Sequence, residues 1–308
     1  FLMGEDVAGG GRRPEGTEEM GGIMSVTRGL VREFPDRVLD TPISEMGILG
    51  TAVGAAVTGL RPVVELMFID FLGTCLDPLL NQASKFRYMF GGKARVPLTV
   101  RTVTGAGMQA AAQHSQSLYW MTAGIPGLKT VIPSNAADAK GLLLAAIRSD
   151  DPVIFCEPKG ILFLSTDVPE GDYEVPIGKA KVVRAGSDVS LVGMGATVGM
   201  ALAAAAELER DGISAEVLDL RSLAPLDEDA ILTTLAKTGR LVVVDEATPR
   251  CGIASDVAAL CVDQGFDFLN GPVKRVTAAM CPVPFASVLE EAYMPSSARI
   301  VEAVRGLL

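Results

Sequence analysis

Arg37-Val-Leu-Asp-Thr-Pro-Ile-Ser-Glu-Met-Gly-Ile-Leu-Gly-Thr-Ala-Val-Gly-Ala-Ala-Val-Thr-Gly-Leu-Arg-Pro-Val-Val-Glu-Leu-Met67 reads as one strand–helix–strand unit. The runs Arg37-Val-Leu-Asp40 and Pro62-Val-Val-Glu-Leu-Met67 suit strands, and residues 47–60 between them suit a helix. That helix is rich in Gly and Ala, so another backbone or a flat ligand can come close to it. Glu45 stands where the extended segment gives way to the helix. Its apolar company, Ile43, Met46, Ile48 and Leu49, would desolvate the carboxylate unless a proton donor is supplied. A group so placed can hand a proton to a ring nitrogen. The plainer role for it is a helix-dipole partner, worth about 0.3–1 kcal/mol. Its match in kind is the chain's only histidine, in Ala111-Ala-Gln-His114-Ser-Gln-Ser117, whose plainer role is a structural donor.

The alternation continues outward. Residues 77–89 read as a helix with Leu79, Leu80, Ala83 and Phe86 at helical spacing, and 138–148 as another. Strands are expected at 96–101, 130–133 and 152–156. Strand and helix in turn predict an α/β fold with a parallel sheet and helices on both faces. Residues 4–22, Gly-rich and charged, are expected to be a surface excursion. Residues 165–177 read as an interdomain linker. Beyond it the pattern restarts, with strands at 189–193, 215–219, 240–245 and 273–277 and helices at 199–211, 227–238 and 253–264. The chain therefore divides into domains at 1–170 and 178–308. Gly193-Met-Gly-Ala-Thr-Val-Gly199 has the outline of a phosphate loop, with Asp219 about twenty residues on. Its spacing is not the dinucleotide one, and a tight strand-to-helix turn explains it better.

Composition narrows the function. The 308 residues carry 27 Lys and Arg against 37 Asp and Glu, a net charge of −10, which leaves no basic stripe for nucleic acid. No apolar stretch of about 18 residues suggests a membrane span. The positive mean hydropathy points instead to surface buried against other subunits. Cys75, Cys156, Cys251, Cys261 and Cys281 lack CxxC spacing and companion histidines, which argues against zinc. They fit small hydrophobes in a reducing cytoplasm, the expected location. No signal peptide is visible. The opening Phe1-Leu-Met-Gly4 has no initiator methionine at its start, so residues are expected to precede it.

Several long motifs occur in one order: Gly4-Glu-Asp-Val-Ala-Gly-Gly10, Asp40-Thr-Pro-Ile-Ser-Glu45, Gly59-Leu-Arg-Pro62, Ala111-Ala-Gln-His-Ser-Gln116, Pro126-Gly-Leu-Lys129, Asp138-Ala-Lys-Gly-Leu-Leu143 and Asp245-Glu-Ala247. Over almost its whole length the chain resembles the beta subunit of the E1 component of thiamine-diphosphate-dependent 2-oxo acid dehydrogenases. Gly21-Gly-Ile-Met-Ser-Val-Thr27, Lys85-Phe-Arg-Tyr-Met-Phe-Gly-Gly-Lys93 and Pro249-Arg-Cys251 look most like the acetoin dehydrogenase branch. The resemblance implies a pyrimidine-binding domain followed by a transketolase-type C-terminal domain. It also implies an alpha subunit that holds Mg2+ and the diphosphate, in an α2β2 heterotetramer. A lipoyl-bearing acyltransferase (E2) would receive the product.

By the same resemblance, Glu45 matches the glutamate that hydrogen-bonds N1′ of the aminopyrimidine and favours its imino tautomer. Phe71 matches an aromatic residue stacked near that ring, and Ile43 and Met67 match apolar lining, although core packing explains those three equally well. His114 matches a channel histidine, a residue type that moves protons near neutrality. Leu98, Ala146, Ile147, Ser149 and Asp151 occupy the positions of a monovalent-cation (K+) site made of carbonyls. Two departures bear on substrate rather than cofactor: Met280 stands where many acetoin-type relatives have histidine, and Gly160-Ile-Leu-Phe163 replaces the usual continuation after Lys159. The implied activity is cleavage of a carbon–carbon bond next to a carbonyl, with acetoin as substrate and pyruvate or another 2-oxo acid as the alternative. A non-catalytic assembly subunit and a nucleotide-binding oxidoreductase centred on residues 193–199 are the rival classes.

Overall fold

The computed structural model describes residues 1–9 and 21–308, so part of the excursion expected over 4–22 lies outside the described residues. In chain order the strands are β1 (Leu2–Gly4), β2 (Val38–Asp40), β3 (Val63–Phe68), β4 (Thr99–Thr104), β5 (Lys129–Val131), β6 (Val153–Pro158), β7 (Lys181–Arg184), β8 (Val189–Gly193), β9 (Ala215–Asp219), β10 (Ser222–Ala224), β11 (Leu241–Asp245) and β12 (Lys274–Thr277). They form a seven-stranded sheet ordered β10-β5-β6-β4-β3-β1-β2 and a five-stranded sheet ordered β12-β11-β8-β9-β7. Every residue of β4, β6, β8, β9 and β11 is buried, as befits central strands covered on both faces.

The sheets are parallel except at two places. β10 runs antiparallel to β5, and β7 antiparallel to β9, at the margins of sheets that are otherwise parallel as expected. β10 also returns from the second half of the chain to the edge of the first sheet, across the boundary expected at 170–178. One apolar cluster accordingly contains Leu49, Leu66 and Leu98 together with Met194, Leu218 and Leu241. The helix expected at 77–89 is split into a wide-turned segment, Pro78–Ala83, and a short helix, Phe86–Met89. At the break Lys85 Nζ donates to the Pro126 carbonyl, 2.8 Å away. Gly127 also approaches the Ser84 backbone there more closely than a Cβ would allow. The helices Ser287–Tyr293 and Ser297–Arg305 were not expected. The Gly193–Gly199 turn is a tight joint. A Cβ on Gly195 would lie 2.8 Å from Ile132 and 2.9 Å from Pro158, so the turn packs directly against the first sheet.

The register positions the functional residues. β3 pairs with β4 and β4 with β6 in parallel, so their carboxyl ends reach one edge. Ligands of open α/β sheets sit in the crevice beyond such ends. β3 there leads into residues 69–74, β4 into the loop containing residues 105–117, and β6 into Lys159.

Beneath that edge is a buried ion triad. Arg101 donates to both Glu157 oxygens, at 2.7 and 2.9 Å, and to Glu65 Oε2 at 2.9 Å. Arg101→Ala would leave two carboxylates buried without their cation, and should cost about 3–5 kcal/mol in denaturant unfolding. An unchanged midpoint would contradict this account. At the seam between the halves, Asp219 accepts from Ser134 Oγ and the Arg221 N–H, and burial pushes its carboxyl from 3.8 up to about 7. Between those values the folded carboxyl holds a proton that the unfolded one has lost. Its contribution to stability therefore falls as pH rises from about 4 to 7, by at most about 1.4 kcal/mol per pH unit. Asp219→Asn should flatten that part of the stability–pH curve, read from urea titrations across the window.

Candidate active site at the strand ends

Glu45 opens the helix Glu45–Val57, preceded by Pro42-Ile-Ser44, which keeps the chain extended up to the helix start. Its carboxylate is half-buried. Thr74 Oγ1 lies 3.3 Å from Glu45 Oε2 and 2.8 Å from the Phe71 carbonyl oxygen, so this hydroxyl bridges Glu45 to the turn that carries Phe71. Phe71 in turn meets His114 edge-to-face, ring centres 5.4 Å apart. Phe68 meets the same imidazole at 5.0 Å and Phe71 at 5.9 Å, both nearly perpendicular. Glu45, Phe71 and His114, far apart in sequence, are thus joined through Thr74 and the aromatic trio. Met67 lies half-buried in the adjoining strand.

The apolar shield expected around Glu45 is not supplied by this chain alone. Ile48 and Leu49 point into the core, whereas Ile43 is 75% exposed and Met46 48% exposed. Its charge instead reaches another acid, Glu5. Burial, then the charges of Asp6 and Glu45, raise the Glu5 carboxyl above its ordinary value.

The segment bearing His114 is held by buried charges. Lys159 Nζ donates to the His114 carbonyl and lies 3.4 Å from Ser115 Oγ and 5.0 Å from the Phe68 ring centre. Burial lowers the Lys159 ammonium below its usual range, while Asp70, Glu290 and Glu246 oppose that shift. Asp70 Oδ1 accepts from the Gln116 backbone N–H at 3.1 Å and from its side-chain amide at 2.9 Å, whereas its buried Oδ2 has no protein partner. Glu246 Oε1 accepts from Ala106 N–H at 2.5 Å, and burial pushes that carboxyl up to about 7. Nearby, Asp245 accepts from Tyr119 Oη at 2.5 Å.

The five carbonyls expected at a cation site all accept hydrogen bonds. Arg61 Nη1 donates to those of Ile147 and Ser149, at 3.2 and 2.9 Å. Ser149 N–H binds the Ala146 carbonyl, Val153 N–H that of Leu98, and Ser149 Oγ that of Asp151. Each retains a second lone pair. Among the described residues, no group of His, Cys, Asp and Glu is arranged to hold a metal ion.

Sequence reasoning passed over Thr74, Phe68, Asp70, Glu246 and Glu290. Glu246 and Lys159 lay inside quoted motifs, but nothing linear ties them to His114. Glu290 is over 170 residues away from it and carries no local signature.

Residues 1–163 match the family described as transketolase, pyrimidine binding domain, and residues 178–300 the family described as transketolase, C-terminal domain. The chain is similar to the acetoin:2,6-dichlorophenolindophenol oxidoreductase subunit beta of Bacillus subtilis, 59% identical over 311 residues, covering 100% of this chain and 91% of the relative. It is also similar to a pyruvate dehydrogenase E1 component subunit beta of Rickettsia felis, 44% identical over 306 residues, with 99% and 91% covered. A solved structure described as a split gene transketolase, inactive beta4 tetramer, aligns with TM-score 0.79 at 22% identity, covering 100% of this chain and 91% of that one. That last likeness is one of fold alone.

Thiol chemistry reports on the packing behind Glu45. Burial and then the Glu45 charge push the Cys75 thiol up to about 12, burial takes Cys261 to about 11, and Cys156 is also raised. Cys251 and Cys281 are exposed. Titration of the folded chain with a thiol reagent should therefore find two fast thiols of the five, and all five after denaturation. Rapid labelling of Cys75 in the folded chain would refute this packing.

Proposed function

The chain belongs to the transketolase family, in the branch of acetoin and pyruvate dehydrogenase beta subunits, and from that premise we propose that it is the beta subunit of a thiamine-diphosphate-dependent E1 component. With an alpha subunit it cleaves the carbon–carbon bond next to a carbonyl, and acetoin is the leading substrate. The observation that carries the reading is the junction Glu45–Thr74–Phe71–His114, an acid, a flat apolar wall and a titratable ring at one sheet edge. The greater identity to the acetoin-type relative favours acetoin over pyruvate.

The residues fit the aminopyrimidine end of the cofactor. Beyond its Thr74 contact, Glu45 retains acceptor capacity for a ring N–H, and Phe71, Met67 and Ile43 offer apolar surface to a planar heterocycle. When bound, thiamine diphosphate supplies the carbon nucleophile that adds to the substrate carbonyl. Glu45 holds a proton at N1′ of the pyrimidine. His114, fixed edge-on by Phe68 and Phe71, gives and takes a proton at the substrate's carbonyl oxygen.

The alpha subunit brings the diphosphate site and its Mg2+, and also covers Ile43 and Met46, which drains water from around Glu45. The carbonyls of Leu98, Ala146, Ile147, Ser149 and Asp151 would hold a K+ ion, which would supply positive charge to steady that end of the sheet. A lipoyl-bearing acyltransferase accepts the two-carbon unit.

Glu45→Gln should lower turnover of the alpha–beta complex by about 100-fold or more, while the fold, read by circular dichroism, is kept. Undiminished activity would leave the chain an assembly subunit. Turnover of pyruvate but not acetoin would move the substrate to the alternative.

A further inference from the structure

The loop that delivers His114 is conformationally costly. Gly105 and Gly107 have φ of 88° and 102°, and the non-glycine residues Gln109 and Ala111 have φ of 53° and 60°. Side chains rarely adopt that region, and such backbone persists only where its surroundings over-determine it. The determining contacts come from the second half of the chain. Glu290 Oε1 accepts from Gly107 N–H at 2.9 Å and from Gln109 N–H at 3.2 Å, and its Oε2 lies 3.0 Å from the same Gln109 nitrogen. Glu246 takes Ala106 N–H. Both carboxylates are buried, at 5% and 6% exposure.

Glu290 is unusual within its own element. The helix Ser287–Tyr293 buries only Glu290 and Tyr293, while Val288 and Leu289 face solvent at 71% and 55% exposure. An amphipathic surface helix normally buries its apolar side chains. This one turns a carboxylate inward and leaves aliphatic side chains outside. The arrangement makes sense where the acid is needed by the strained loop. The far end of that loop is already fixed by Lys159 on the His114 carbonyl and by Asp70 on Gln116, which leaves the 106–109 end to the two glutamates.

We propose that Glu290, with Glu246, is a positioning residue for His114: the carboxylates hold the left-handed turns at 105–111 through the Ala106, Gly107 and Gln109 N–H groups, and thereby set the imidazole against Phe68 and Phe71. Neither glutamate is in hydrogen-bond contact with the imidazole. The consequence for turnover rests on the function proposed above, whereas the anchoring is a property of this chain.

His114 is the only histidine of these 308 residues, so this chain, tag-free and with labelled histidine, gives one set of imidazole NMR signals. Glu290→Ala should shift and broaden them as the ring loses its fixed place beside two aromatic rings. Glu290→Gln, which keeps one acceptor oxygen, should stay near the wild-type positions. In the reconstituted complex, Glu290→Ala should lower kcat by about 100-fold with little change in KM, the pattern of an interaction lost only in the transition state. If Glu290→Ala does not fold, Glu290→Asp withdraws the carboxylate by one methylene and is read in the same way. Imidazole signals of a folded Ala or Asp variant that coincide with the wild type would overturn the proposal, leaving Glu290 a clamp for its own helix. A complex without thiamine-dependent turnover would defeat the proposed function, and the NMR comparison would still decide this inference.

Discussion

Carboxylates taken into a protein interior must find donors, and here Glu246 and Glu290 find them in the backbone N–H groups of the His114 loop, from the opposite half of the chain. Ala106, Gly107 and Gln109 donate to Glu246 and Glu290. An orphaned buried acceptor costs about 1–3 kcal/mol, and more where it is charged. The arrangement is therefore mutual: removing the loop strands two buried acids, and removing the acids frees the left-handed backbone they hold. Lys159 sits among Asp70, Glu246 and Glu290 and offsets part of the charge, at the expense of its own desolvation. The two sheets are tied by this seam and by β10, so the halves act as one support for the strand-end crevice.

The other side of the site has a different character. Around Glu45 the side chains that would exclude water face outward, as do Tyr88 at 89% and Phe90 at 54% exposure. Exposed apolar surface of this kind marks places where something packs. A carboxylate governs the protonation of a bound ring strongly only where water is displaced, because the local dielectric sets the strength of the contact. This chain contributes an acid, a histidine and aromatic walls. The dry enclosure belongs to the assembly proposed above.

The central strands were legible because they are covered on both faces and so read as unbroken apolar runs: Val189–Gly193 and Leu241–Asp245 fell within a residue of where their sequence put them. The short strands β1, β7 and β10, of three or four residues, carry too little pattern to be seen. The strand expected at 96–101 formed at Thr99–Thr104, since Pro97 has no N–H to give a ladder. Helices 199–211 and 47–60 both began earlier than expected. In the first, the turn before the helix is set by tertiary packing, where Gly195 abuts Ile132 and Pro158.

Residue type and order were enough to give the α/β alternation, the glutamate at a helix start and a single histidine in a polar loop, because local chain chemistry writes those directly. They could not show that Thr74 joins Glu45 to Phe71, that Lys159 grips the His114 carbonyl, or that Glu290 holds the loop from far along the chain. Such contacts exist only once strand register and sheet packing bring distant segments within hydrogen-bond range. Their partners are backbone N–H and C=O groups, which are the same in every residue and leave no trace in the order of side chains.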